Sequence, residues 1–463
     1  MRLRHILKKL YVGIIAAICM CALSGCMLVS SPDELFSLPK LPQEYVDLEK
    51  EIEELINDGY EYAAPTGGEN VQLVQMVDFD SDYIDEAVVF LRKATDAKPQ
   101  KICIFQNLSG GYQLSAMIEE SASSISYVEY CDMNNDGNLE IVVGWRMMSV
   151  QDANTILPAN TTELALTRVV SVYNMERYAC EKILETNYNQ YNVTDLDHNG
   201  VPELIVIAGN TSGNCDATVY QWNMGVLEKK YTARLSVPPA MLREVYQGGL
   251  QGGGTGLFVT GVIDEQTLVT DILVLNQEGF KNCTMNEQTG ISNLIYRESK
   301  IDARDINGDG VLELPISYEL KKNNPQDPTY WGISWTAFSG TGKAQVVENT
   351  YHNLTDGWYL VFPESWKNLI SITNVSSTPG ERALTFGIYR AGEKEAMDIL
   401  TIYTETGDSR EYKATKNKRF VLLRQATTIY AAEFGKDSQY WTGTMTREAL
   451  EAGFHMIGGS NGM

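Results

Sequence analysis

Four stretches of this chain place oxygen-bearing side chains at the same alternating positions of a short loop, and each runs straight into an apolar segment. They read Asp78-Phe-Asp80-Ser-Asp82-Tyr-Ile-Asp-Glu86, Asp132-Met-Asn134-Asn-Asp136-Gly-Asn138-Leu-Glu140, Asp195-Leu-Asp197-His-Asn199-Gly-Val201-Pro-Glu203 and Asp305-Ile-Asn307-Gly-Asp309-Gly-Val311-Leu-Glu313. A hard cation gathers about six to eight oxygens, and alternate carboxylates and amides on a tight turn converge to supply them. Gly137, Gly200 and Gly310 at the sixth position let the backbone turn inward. The carbonyl of the seventh residue (Asn138, Val201, Val311) offers a further oxygen, and the ninth-position Glu closes the shell from the first residue of the following strand. An EF-hand differs, with its glutamate at position twelve and a helix after it. The pattern predicts three to four calcium ions. The first loop keeps its acids but carries Tyr83 where the others have Gly.

A fifth stretch, Gly249-Leu-Gln-Gly-Gly-Gly254-Thr-Gly-Leu257, keeps the sixth-position Gly and the apolar continuation but none of the ligands, and reads as a metal-free repeat. The five starts at 78, 132, 195, 249 and 305 are separated by 54, 63, 54 and 56 residues. A near-constant period of this size marks stacked or radially arranged supersecondary units. Between the loops lie short strands set off by Gly, Asn and Asp, about four per period, with no helix to make parallel crossovers. The expected fold is mainly β. A β-propeller of about five four-stranded blades with calcium loops spans 60–350, and an α+β domain follows over 351–463. The alternative is a seven-bladed ring that uses the C-terminal region.

The Asp-x-Asp/Asn-x-Asp/Asn-Gly-x-x-Glu loop entering a strand resembles the FG-GAP/VCBS repeats of integrin alpha-subunit propellers and of bacterial surface proteins. That resemblance implies a calcium ion in a hairpin loop at the edge of each competent blade, held by the residues named above. Here position nine is Glu rather than Asp, and the repeats number five rather than seven. The segment Gly357-Trp-Tyr-Leu-Val-Phe-Pro-Glu-Ser-Trp366 is similar to the first strand of PsbP-like domains, which are antiparallel sheets flanked by helices.

The chain opens with Arg2, Arg4, Lys8 and Lys9, an apolar run from Leu10 to Leu23, and then Leu23-Ser-Gly-Cys26. This reads as a signal peptide over 1–25 whose closing tetrad resembles a bacterial lipobox. The run is shorter than the stretch of about 20 apolar residues that a membrane-spanning helix needs. Cys26 is the expected lipidation site, anchoring the chain to the outer face of the bacterial cytoplasmic membrane. A tether over 26–42 and an amphipathic helix over 43–59 are expected next. Loss of the four leading cations would take the formal charge from −23 to −27. A surface this acidic argues against nucleic acid as a partner.

Beyond Cys26 the cysteines are Cys103, Cys131, Cys180, Cys215 and Cys283, an odd and irregular set that reads as buried single thiols. His198, His352 and His455 are too scattered for a zinc site or a triad, and His198, inside a metal loop, is expected to be solvated. The glycine run at 248–256 lacks the Lys-Ser/Thr of a phosphate cradle. Tyr330, Trp331 and Trp335 could form a ligand platform, but tryptophans in alternating strands are more often core. Acid/base catalysis would need carboxylates held apart in a cleft, whereas these loops gather theirs on one turn. The expected function is a surface-anchored, calcium-stabilised, non-enzymatic binding protein, with a protein or cell-wall ligand. The alternatives are an envelope polysaccharide-acting enzyme built on a propeller, and an architectural spacer.

Overall fold

The computed structural model describes residues 43–458 apart from 109–110, 149–165, 177–178, 265–266, 293–296, 299–300, 376–377, 391, 393–394 and 437. The expected signal peptide over 1–25, Cys26 and the expected tether over 26–42 lie outside the described residues. By its contacts the chain divides into two compact units, Met1–Ala122 with Arg177–Cys180, and Ser123–Glu176 with Glu181–Met463.

In the first unit, helix α1 (Gln43–Asn57) lays Leu48 and Ile52, both buried, against a sheet. Its last turn closes on Gly59 at φ +91°, with Tyr60 N–H donating to Leu55 O at 3.2 Å, the Schellman arrangement that only a left-handed residue permits cheaply. The sheet contains β1 (Glu61–Tyr62), β2 (Val74–Val77), β3 (Glu86–Arg92), β4 (Gln100–Leu108) and β5 (Gly111–Glu120). Strands β1 and β2 both pair with one edge of β3, and β4 and β5 follow on the other. The helix and the sheet share a core of Leu48, Ile52, Ala87, Val89, Leu91, Cys103, Phe105 and Tyr112.

The second unit repeats one antiparallel meander. The first sheet is β6 (Ala122–Cys131), β7 (Glu140–Met148), β8 (Leu166–Glu176) and β9 (Ala179–Asn187); the next is β10 (Gln190–Thr194), β11 (Glu203–Gly209), β12 (Cys215–Asn223) and β13 (Val226–Arg234). A third holds β14 (Leu242–Gly249), β15 (Thr255–Val262), β16 (Thr267–Asn276) and β17 (Gly279–Asn282), with the two-residue β18 (Arg297–Glu298) also on β16. Consecutive sheets pack face to face. Val142, Val170 and Val172 meet Leu204 and Val206 in one cluster; Ile205, Ile207 and Val219 meet Leu257, Val259 and Leu273 in the next; and Phe258, Ile272 and Val274 meet Leu314 and Phe338 in a third. Strands covered on both sides bury nearly every residue, as β15 and β16 do, so their apolar residues fall on both faces rather than alternating.

The remaining sheets are β19 (Leu314–Glu319), β20 (Trp331–Phe338), β21 (Ala344–Asn353), β22 (Trp358–Phe362) and β28 (Phe454–Met456), and then β23 (Ile370–Val375), β24 (Glu381–Ile388), β25 (Met397–Thr406), β27 (Thr428–Phe434) and β26 (Phe420–Arg424). Short helices α2 (Arg410–Ala414) and α3 (Arg447–Gly453) complete the chain. The fold is therefore mainly β, built from antiparallel sheets of four or five strands.

The expected boundary at 350/351 falls inside β21, whose pairing with β22 runs from Asn349↔Phe362 to Asn353↔Trp358. The Trp358–Phe362 segment thus continues the fifth repeat's sheet, and Tyr351, Trp358, Trp366 and Phe386 share one core with Leu320. The repeat loses its loop signal after Glu313, but hydrogen-bonded pairing carries its sheet two strands further.

Candidate functional site: four acidic hairpin loops

Each acidic loop joins the strands that open its sheet. The loop at 78 lies between β2 and β3, the loop at 132 between β6 and β7, and the loop at 195 between β10 and β11. At 305 the preceding strand shrinks to a single bridge, Arg304↔Glu313. The loops share one backbone. Positions four and six both take positive φ: Ser81 59° and Tyr83 69°, Asn135 59° and Gly137 88°, His198 58° and Gly200 89°, Gly308 77° and Gly310 83°. Position four needs no glycine because Asn, His and Ser tolerate the left-handed region in a turn.

The side-chain pattern repeats as closely. The first Asp accepts the N–H groups of positions five and six: at Asp78 from Asp82 at 3.1 Å and Tyr83 at 2.9 Å, at Asp132 from Asp136 at 3.2 Å and Gly137 at 2.9 Å. Asp195 does the same for Asn199 at 3.0 Å and Gly200 at 2.9 Å, and Asp305 for Asp309 at 3.1 Å and Gly310 at 2.8 Å. The fifth residue accepts the seventh N–H: Asp136 from Asn138 at 2.8 Å, Asn199 from Val201 at 2.7 Å, Asp309 from Val311 at 2.9 Å, and Asp82 from Ile84 at 2.8 Å. The ninth-position Glu reaches back to the second N–H, Glu86 to Phe79 at 3.1 Å, Glu140 to Met133 at 2.7 Å, Glu203 to Leu196 at 3.0 Å and Glu313 to Ile306 at 3.0 Å.

These four glutamates are buried, Glu140 and Glu313 completely. Burial, with the neighbouring aspartates adding to it, pushes each of their carboxyl groups up to about 7. A bound cation reverses that cost by supplying the missing charge. Oxygens of Asp78, Asp80 and Glu86 lie within 4.8 Å of one another, as do those of Asp195, Asp197 and Glu203, so two clusters of three carboxylates could each hold a metal ion. In the loops at 132 and 305 the third position is Asn134 or Asn307, so the acidic trio becomes two acids and an amide. Asn134 Nδ2 lies 3.3 Å from Glu140 Oε1. Glu313 Oε1 is buried without a hydrogen-bond partner among the described residues, an orphan acceptor of the kind a cation satisfies. The donor set of oxygens alone fits a hard cation.

The Gly249 loop differs in its packing. Leu312 N–H donates to Gly249 O at 3.0 Å, and a Cβ on Gly249 would stand 2.1 Å from Gly310 O. This loop is held by backbone contact with the loop at 305. His198 is exposed, as expected, and its Nε2 lies 2.7 Å from Thr255 Oγ1, which ties the loop at 195 to strand β15.

Of the aromatic candidates, Trp335 is core. Trp335 is fully buried, its indole N–H donating to Thr350 Oγ1 at 2.8 Å, whereas Trp331 is 40% exposed. The five thiols are free, and burial pushes those of Cys103, Cys131 and Cys180 up to about 12 and those of Cys215 and Cys283 to about 11. Thiols held protonated are poor nucleophiles and poor ligands.

Sequence reasoning missed one grouping. His352, Tyr359 and His455 sit directly opposite one another on β21, β22 and β28 and form a stacked row. Nothing in the local sequence announces it, because β28 joins the sheet from about a hundred residues away.

No family model matches the chain, and no curated protein matches it significantly. Among solved structures, an exotype rhamnogalacturonan lyase, YesX, matches at 12% identity over 67% of this chain and 65% of that one, with a TM-score of 0.29. The chain thus spans about two thirds of that lyase's length. A second rhamnogalacturonan lyase, YesW, matches at 10% identity over 83% and 92% of the two chains, with a TM-score of 0.28. Scores this low carry no argument about shared activity.

Proposed function

We propose that the chain is a calcium-stabilised, non-enzymatic binding protein displayed at the bacterial cell envelope. One observation carries the reading: four loops of unrelated intervening sequence share the same turn, the same hydrogen bonds and a buried glutamate whose charge needs a cation. Three or four calcium ions, held by the oxygen side chains of positions one, three and five, the seventh carbonyl and the ninth Glu, neutralise clustered charge and pin each hairpin. Their role is structural. In each loop all the carboxylates serve one turn, so none is left as a separated acid/base pair. Recurrence of such loops at sheet edges supports the FG-GAP/VCBS likeness, and with it a β-propeller and a protein or cell-wall ligand. Acylation at Cys26 supplies the membrane attachment in this reading, and a Cys26→Ser variant released from the membrane fraction is its expected signature.

The test is calorimetric titration of the purified protein with calcium, followed by thermal unfolding with and without chelator. Three or four ions and a melting temperature that falls on chelation are expected. Saturation at a hundredfold over the dissociation constant contributes about 2.7 kcal/mol per site bound only when folded. Absence of binding, or one ion without effect on unfolding, would overturn the reading.

A further inference from the structure

Beside the loop at 305 lies a cavity of about 790 Å³, within the range of small-molecule sites. Its lining includes the apolar side chains of Val361, Phe362, Met445 and Met456. Arg304, Glu348, Tyr359 and His455 also line it, together with Asp305 of the loop. Arg304 sits at the head of the loop, with its guanidinium carbon 5.0 Å from the Trp335 ring centroid and 5.1 Å from that of Tyr359. Aromatic faces hold a guanidinium in place without using its N–H donors. Among the described residues Arg304 forms no ion pair, and its Nε is buried with no hydrogen-bond partner.

That is an unusual way to keep an arginine. Asp305 is its chain neighbour, yet its carboxylate is turned into the loop, accepting from Gly308, Asp309 and Gly310. Glu348 lines the same cavity half-buried, and it too makes no ion pair among the described residues. A fork of donors and a separate acceptor therefore face one space, each unused by the other. Nearby Tyr359, His352 and His455 are committed to their own stacked row. Planar, bidentate pairing with a carboxylate is what a fixed guanidinium does best.

We propose that this cavity binds a small organic carboxylate with an apolar body, its carboxylate on Arg304, a donor group on Glu348, and its apolar part against Met445 and Met456. The inference deepens the binding-protein reading by giving it a ligand class. Balance of charge favours a ligand that carries one anion and one hydrogen-bond donor, since a second anion would meet Glu348.

Calorimetric titration of the full chain with L-phenylalanine, 3-phenylpropionate and 2-phenylethylamine separates the groups. Both carboxylates are expected to bind, and the amine, which lacks the carboxylate, at least about tenfold more weakly. Arg304→Gln should abolish carboxylate binding, while Glu348→Gln should weaken L-phenylalanine but not 3-phenylpropionate. Melting temperature and calcium stoichiometry, measured on the same samples, exclude variants that have lost the fold. Equal affinity for amine and carboxylates, no binding of any probe, or carboxylate binding that survives Arg304→Gln would overturn the proposal. Absence of calcium binding would count against the calcium reading alone, and leaves the pocket to be judged by the matched probes.

Discussion

His352 lies face to face with Tyr359, ring centroids 4.9 Å apart and planes within 10°. Its Nε2 is buried without a hydrogen-bond partner, and burial, together with the Arg304 charge, depresses its pKa from about 6.5 to about 3. The unfolded chain therefore binds a proton that the folded chain refuses. Between these two values the unfolded state holds more protons, so stability falls as pH drops from about 6.5 toward 3. Between those two values the shift of His352 corresponds to at most about 5 kcal/mol of that loss. Arg304, Tyr359 and His455 are the titratable neighbours, and His455 is depressed in the same direction by burial and by Arg304. Replacing His352 by Phe keeps the stack and removes the proton. Urea unfolding at several pH values should show a shallower acid slope in His352→Phe; an unchanged slope would refute this account.

Tyr83 occupies the sixth loop position at φ +69°, where the equivalent residues are Gly137, Gly200 and Gly310. Its side chain is 96% exposed, so no packing compensates for the left-handed backbone. A non-glycine residue there costs about 1–2 kcal/mol. Tyr83→Gly should stabilise the protein by about 1 kcal/mol, less the backbone entropy that glycine releases on unfolding. Chemical denaturation measures it, and a destabilised variant would mean that the Tyr83 ring does something not visible in its contacts.

The loops were legible in the sequence because their chemistry is local. Nine consecutive residues contain the turn and the oxygen-bearing side chains, with a glycine at the sixth position in three of the four loops, and the same positions recur in each acidic loop. Even the exception was informative, since Tyr83 adopts the glycine conformation under the direction of Asp78, which accepts the Asp82 and Tyr83 N–H groups. The helix at 43–57 was legible for the same reason, its apolar stripe being written in one segment. The edge of the fifth repeat's sheet was not. β28 adds to β22 through Trp358↔Met456 and Leu360↔Phe454, pairings that no local pattern encodes. The aromatic row and the Arg304 cavity both depend on that strand, so the histidines looked isolated until pairing brought them together.

Gly249 marks where one repeat touches the next. A methyl group there would stand 2.1 Å from the Gly310 carbonyl oxygen, against rigid backbone on both sides. Overlap of that size cannot be relieved by a rotamer change, and overpacking in a closed site costs about 3 kcal/mol or more. Gly249→Ala should lower the melting temperature and displace Gly310, and in the proposed calcium-binding reading one ion fewer is then bound. Loss of stability with a full complement of ions would show that the two loops are coupled only through packing.

Asp271 is the one fully buried aspartate among the described residues, and it has no cation beside it. Instead it accepts from Ser236 N–H at 2.7 Å, Ser236 Oγ at 2.5 Å, Ser292 Oγ at 2.5 Å and Asn282 Nδ2 at 2.9 Å. Four donors replace the water that a carboxylate loses on burial. The cluster staples strand β16 to Ser236 after β13, to Ser292 after β17 and to Asn282 at the end of β17, which are 35, 21 and 11 residues away in sequence. Removing the acceptor strands three residues' donors at once. Asp271→Ala should therefore destabilise by about 3–5 kcal/mol. Asp271→Asn should cost less, because the fixed Ser236 N–H still finds the amide oxygen and the serine hydroxyls can rotate to accept from the new amide, which leaves the Asn282 Nδ2 donor without its acceptor. Denaturant midpoints for the two variants would establish the order. If alanine costs no more than asparagine, the hydrogen bonds to the second carboxylate oxygen contribute nothing, and the staple is a matter of shape alone.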